Sequence, residues 1–196
     1  YPAAVTPEVH LNRIKAAGLA KDPFKAQAAF DAMPAAMDGR DQAFRELINT
    51  YAKAKQWARA RAVADEMRTK FPQSPLTVKA WVEAGYIARD AKVRAEEMHF
   101  LRTALINYPN AIEVAGAQFE LAWLEHEAGN YARAADLLTE HLARYAAKDT
   151  TNRGRAGYWA ARNSERAGRI AEACTLYEAV VYRYYANWYG YIGDER

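Results

Sequence analysis

Seven aromatic side chains fall within fifteen residues near the end of the chain: Tyr177, Tyr182, Tyr184, Tyr185, Trp188, Tyr189 and Tyr191. Tyr and Trp combine a large apolar face with a polar tip. A cluster of them can stack on sugar rings, form a domain interface or pack a terminal helix pair, and composition leaves all three open. Helical spacing sorts the members. Tyr177 and Tyr184 are seven apart and share one core-facing stripe, whereas Trp188 and Tyr189 fall past that stripe and suit an interface. Upstream, Arg153, Arg155, Arg162 and Arg166 flank the pair Tyr158-Trp159. Such a basic stripe either attracts an anionic polymer or simply solvates a helix surface. The candidate binding set is therefore Tyr158, Trp159, Arg162, Tyr185, Trp188 and Tyr189, for a glycan or for a docking domain.

Other chemistry finds little material. The four histidines, His10, His99, His126 and His141, include no pair three or four apart, so no helical metal pair arises. Cys174 stands alone, without a disulfide partner, and reads as a small buried helix residue. There is no Gly-rich phosphate loop and no Gly-x-Ser-x-Gly elbow. Glu113 and Glu120 read as a helix cap and a solvated face. No catalytic residue, metal or cofactor is assigned. The net charge of +3 is too small for a nucleic-acid footprint. The longest uncharged stretches span ten residues, as in 103–112 and 184–193, whereas a membrane-spanning helix needs roughly 20.

The elements that must position these residues are helical. Of 196 residues, 43 are Ala, the best helix former. Val and Ile, the usual material of sheets, number nine and seven. An aromatic or Met followed by a breaker recurs at Met33-Pro34, Phe71-Pro72, Tyr108-Pro109, Tyr145-Ala146 and Tyr184-Tyr185, at intervals of 38, 37, 37 and 39. A second series agrees: Trp57-Ala-Arg-Ala60 matches Tyr131-Ala-Arg-Ala134, two periods later, and Ile170-Ala-Glu-Ala173 follows at 39. Around Lys92–Glu97 the unit is degenerate but keeps its spacing.

Each period reads as two helices. Asn110 and Glu113 suggest a capping box opening a helix that carries Ile112, Ala115, Phe119, Ala122 and Trp123 on one stripe and stops at Gly129. The plan repeats over 151–167, with Gly168 and then 170–184. Asp22-Pro23 and Ser74-Pro75 read as caps with Pro at the first helical position. Ala60, Ala134 and Ala173 are expected where the second helix of a pair crosses the first. The expected fold is all-α, a right-handed superhelix of about five antiparallel pairs in one domain over 1–196. Its repeats fall near 1–34, 35–72, 73–109, 110–146 and 147–185, and 186–196 leads into a following segment. The chain opens on Tyr1 without a basic-then-apolar leader, which fits either a removed signal peptide or a cut fragment.

The units resemble tetratricopeptide repeats, in which Gly at the turn, an aromatic, a small residue and a late Pro recur about every 34 residues. Gly129, Tyr131, Ala134 and Leu138 match in order, as do Gly168, Ile170, Ala173 and Tyr177. The period of 37–39 and the missing Pro after Tyr145 and Tyr184 depart from that pattern. Over 119–190 the chain also resembles the superhelical region of soluble lytic murein transglycosylases, chiefly through Tyr158-Trp-Ala-Ala-Arg162 and Trp188-Tyr-Gly190. That resemblance implies a periplasmic, non-catalytic scaffold that shapes access to peptidoglycan and supports a downstream catalytic domain. The Glu-Ser and Gly-Leu-Met-Gln motifs of that domain do not occur in these residues. The alternative is a tetratricopeptide-type protein–protein interaction module of the periplasm or outer-membrane assembly machinery that holds a protein or peptide partner in a concave groove.

Overall fold

A computed structural model of the chain describes residues 5–150, 152–184 and 188–195. Among them are eleven α-helices and no strand. The chain divides between residues 104 and 105 into two compact units. The first holds α1 (Pro7–Leu19), α2 (Pro23–Asp31), α3 (Arg40–Lys53), α4 (Trp57–Lys70), α5 (Pro75–Asp90) and most of α6 (Arg94–Asn107). The second holds α7 (Glu113–Glu127), α8 (Tyr131–Tyr145), α9 (Arg153–Arg166), α10 (Ile170–Tyr184) and the short α11 (Trp188–Asp194).

The helix pairs share one turn. In each, the residue after the first helix's cap is left-handed: Lys21, Lys55, Lys92, Gly129 and Gly168, with φ of 53°, 58°, 58°, 79° and 77°. They are spaced 34, 37, 37 and 39 apart. Each turn closes with the same two backbone bonds. At the fourth, Gly129 N–H donates to the His126 carbonyl at 3.0 Å and Asn130 N–H to that of Glu125 at 2.9 Å. The pair of bonds satisfies carbonyls that a helix end otherwise leaves open. The period seen in the side chains is thus a period in backbone geometry.

Three of the five turns place Lys where Gly is favoured, and a left-handed L-residue costs about 1–2 kcal/mol. Lys55 and Lys92 are exposed, so trimming them removes little packing. Lys55→Gly and Lys92→Gly should each stabilise the first unit by about 0.5–1 kcal/mol, after the greater freedom of Gly in the unfolded chain is deducted. Thermal melting of the single variants checks this, and a lowered midpoint in both would contradict the turn assignment.

Helix starts follow local chemistry. Asp22 Oδ1 accepts the Lys25 N–H at 3.0 Å, and Ser74 Oγ accepts that of Leu76 at 3.2 Å, each ahead of a Pro at the first helical position. The Asn110–Glu113 capping box does not form. α7 is capped instead by Ile112, which makes no side-chain cap bond and is exposed. The reason is the turn after Pro109. Ala111 N–H donates to the Tyr108 carbonyl and Val114 N–H to that of Ala111, so a backbone turn leads into the helix.

Small residues recur at the crossings. The fifth residue after each left-handed position is Ala26, Ala60, Glu97, Ala134 or Ala173, all buried. At Ala the missing bulk lets helix axes approach to about 8–10 Å. The third pair differs, because buried Glu97 stands in the Ala position. There the small residue is in the first helix: a Cβ on Gly85 would run into the Leu101 side chain. The degenerate third repeat has moved its close approach from α6 to α5.

Candidate functional site

The first helices of the two pairs in the second unit, α7 and α9, carry a half-buried aromatic ridge. Trp123 on α7 stacks on His126 at 4.8 Å between ring centroids and meets Trp159 of α9 edge-on at 4.9 Å. His126 also lies 5.1 Å from Trp159 and 5.6 Å from Tyr131 at the start of α8. Buried Asn163 fixes this arrangement. Its amide donates to the Trp159 carbonyl at 2.7 Å, which leaves its oxygen facing His126 Nδ1 at 2.8 Å. The imidazole proton therefore sits on Nδ1, where it donates. Trp123 Nε1 donates to Glu127 at 3.0 Å. Arg166 lies 4.9 Å over the Tyr131 ring and donates to its hydroxyl at 3.2 Å.

The ridge is bordered by charge of both signs. α7 contributes Glu120 and Glu127, and α9 contributes Arg162 and Arg166. The positions follow from helical spacing: Glu120, Trp123 and Glu127 lie on one stripe, and Trp159, Arg162 and Arg166 on the matching one. Such a surface offers stacking area between charges of both signs.

The six residues singled out from sequence fall into different environments. Tyr158 is buried, 8% exposed, and packs on Tyr177 at 6.0 Å and Tyr189 at 5.9 Å. Trp159 is half-buried in the ridge. Arg162 Nη1 donates to Glu165 Oε2 at 2.7 Å, and the Tyr177 hydroxyl donates to the same oxygen at 2.8 Å. The Glu165 carboxylate raises Arg162 above its ordinary range, while burial and then that same carboxylate push the Tyr177 phenol up. Trp188 is exposed and shares a face of α11 with Tyr191, ring centroids 6.1 Å apart. Tyr189 is half-buried against Tyr158. Tyr185 lies outside the described residues. The structure thus joins Tyr158 to Tyr189 and, through Tyr177 and Glu165, to Arg162. Trp159, edge-on to Tyr158 at 5.5 Å, also meets Trp123 and His126, and His126 meets Tyr131; these three were not selected by sequence reasoning. A signal for them existed: Trp123 and His126 are three apart, and Tyr131 follows the turn glycine.

A second polar feature holds the connection between α8 and α9. His141 is fully buried, with Nε2 3.3 Å from Asp149 Oδ2, and its ring lies 5.4 Å from that of Tyr145. Asp149 also accepts from the backbone and the side-chain amide of Asn152, the cap of α9. The Tyr145 hydroxyl donates to the Pro109 carbonyl at 2.5 Å. Burial pushes His141 below its usual 6.5, against the opposing pull of Asp149. Folding therefore favours the neutral ring. Its contribution is complete above pH 6.5 and is lost as pH falls, because the unfolded chain takes up the proton first. Urea midpoints should drop between pH 7.5 and about 5.5, and His141→Gln should flatten that slope; an equal slope in the variant would contradict this.

Comparison with known proteins supports the helix-pair repeat. Residues 155–184, which span α9 and α10, match the sequence profile of the tetratricopeptide repeat. No curated protein sequence matches the chain. Among solved structures, PilF of Pseudomonas aeruginosa is 12% identical, with 99% of this chain and 84% of that one covered at a TM-score of 0.55. A tetratricopeptide repeat protein from Parabacteroides merdae is 14% identical, with 95% and 68% covered at 0.53. A kinesin light chain with nearly identical TPR-like repeats from Podosopora anserina is 15% identical, with 88% and 92% covered at 0.52. At such identities the likeness speaks for fold alone. The fold is all-α and tetratricopeptide-like, and the comparisons lend no support to the murein transglycosylase resemblance. Among the described residues no helix is long and apolar enough to cross a membrane.

Proposed function

We propose that this chain is a protein-interaction module whose second unit holds a segment of a partner protein across α7 and α9. The observation that carries the reading is the ridge of Trp123, His126, Trp159 and Tyr131, fixed by Asn163 and edged by Arg166. Helical-repeat arrays present such surfaces from successive first helices. Trp, Tyr and Arg are also the residues that dominate binding energy at protein interfaces. The surface fits a partner segment with apolar anchors and charges of both signs, held extended or as a helix. The role is that of a scaffold without chemistry of its own.

A displayed peptide library panned on the chain tests this. The expected result is an enriched set of peptides that lose binding to the Trp123→Ala, Trp159→Ala double variant while its helical spectrum is kept. No enrichment, or equal binding to that variant, would overturn the reading.

One observation favours a second reading, the periplasmic cell-wall scaffold. A cleft of about 290 Å³ gathers Arg153, Arg155, Tyr184, Trp188 and Tyr189, a chemistry suited to an acidic sugar. That reading predicts sedimentation with purified sacculi at low salt, weakened by Trp188→Ala and by Arg153→Ala. It fares worse than the first, because Tyr158 and Arg162, which carry its signature, are engaged by Tyr177, Tyr189 and Glu165.

A further inference from the structure

Large apolar side chains stand exposed at two places on this chain that carry opposite charge. On the turn between α1 and α2, Leu19 is 85% and Phe24 71% exposed, and Lys21 and Lys25 flank the phenyl ring in sequence, both exposed. Leu19 ends α1 and Phe24 stands in the first turn of α2; these two exposed side chains are called the knob below, and the two lysines its collar. Asp22 within the same turn is occupied in part as the cap of α2 and as a partner of Lys25 at 3.2 Å.

Beyond the fifth pair, α10 and the following α11 leave a cleft of about 440 Å³ lined by Tyr177, Val181, Tyr182 and Gly193, with Cys174 beside them, exposed and not buried as its small size suggests. Its lining is mostly apolar. Two exposed carboxylates, Glu178 and Asp194, complete it. Tyr182 stands 86% exposed. The cleft is large enough for an aromatic side chain together with an aliphatic one, and its charge is opposite to that of the knob.

We propose that the Leu19–Phe24 knob of one copy of this chain docks in the α10–α11 cleft of a second copy, with Lys21 and Lys25 against Glu178 and Asp194. Such a contact joins two different surfaces, so each copy keeps one knob and one cleft. Assembly then runs on into a ring or a filament instead of stopping at a symmetric dimer. A contact built on one knob is small and belongs to the weak, transient class. The charges set its register and make it sensitive to salt. The ridge on α7 and α9 takes no part, so this inference stands independently of the proposed partner site.

Sedimentation velocity over a range of concentrations tests it. The wild type should show a mass that rises with concentration and falls with added salt. Phe24→Asp keeps the cleft but loses the knob, and Tyr182→Lys keeps the knob but spoils the cleft. Both positions are exposed, so both variants should fold, and each alone should remain monomeric. Mixed one to one, they should form a dimer and nothing larger, since one good knob meets one good cleft. A wild type that stays monomeric, association that survives Phe24→Asp or Tyr182→Lys, or a mixture that fails to pair would each overturn the proposal.

Discussion

Trp81→Ala should lower the stability of the first unit by about 3–5 kcal/mol, the usual cost of deleting a large buried aromatic. The indole is 1% exposed on α5, with its ring 5.4 Å from that of fully buried Phe100 on α6. The third pair is packed differently from its neighbours. Buried Glu97 replaces the crossing Ala there, and Gly85 brings α5 onto Leu101 instead. The indole fills the remaining space between the two helices. With Gly85 beside it, a truncated position 81 leaves a hole that neither helix can close by sliding. Trp81→Phe keeps a ring against Phe100 and should cost far less. Urea unfolding followed by circular dichroism measures both, and a midpoint for Trp81→Ala within error of wild type would contradict the packing described.

The second large effect is in the other unit. Ala134→Leu and Ala173→Leu should each cost about 1–3 kcal/mol by overpacking. Ala134 is fully buried, and Ala173 nearly so, within a cluster with Tyr158, Ala161, Tyr177 and Val180. A branched side chain must push α8 away from α7 at Ala134 and α10 away from α9 at Ala173, because close packing leaves it little room. Ala132→Leu, at an exposed position on α8, serves as the control and should be close to neutral. Unchanged thermal midpoints for both core variants would remove the small-residue crossing from the account.

The helical plan was legible because it rests on local and repeated signals. Gly129 and Gly168 announce their turns, Asp22-Pro23 and Ser74-Pro75 announce their starts, and the second helices 131–145 and 170–184 run as their stripes suggest. What sequence concealed has physical reasons. Lys21, Lys55 and Lys92 take the left-handed turn, and nothing in a lysine advertises a positive φ. The start of α7 is set by backbone bonds after Pro109, which outweigh the side-chain cap that Asn110 offers. Glu97 in place of a crossing Ala makes the third repeat look degenerate, although the close approach persists through Gly85 on the facing helix. The candidate site was half legible. Trp159 was selected for its neighbours in sequence, but its working neighbours, Trp123 and His126, come from the preceding pair. The buried state of Tyr158 depends on Tyr189 in α11, a contact between separate helices that periodicity does not encode.

If a polypeptide segment lies on the ridge of α7 and α9, as proposed, calorimetric titration of a library-selected peptide into wild type, Trp123→Ala and Phe24→Asp will separate the ridge from the rest of the surface. Trp123 is half-buried against His126 and Trp159, so its loss should lower the melting midpoint modestly and leave the chain folded, which melting checks before titration. Binding should be at least about tenfold weaker in Trp123→Ala, as for an interface hot spot, and of wild-type affinity in Phe24→Asp. Wild-type affinity in Trp123→Ala would contradict it.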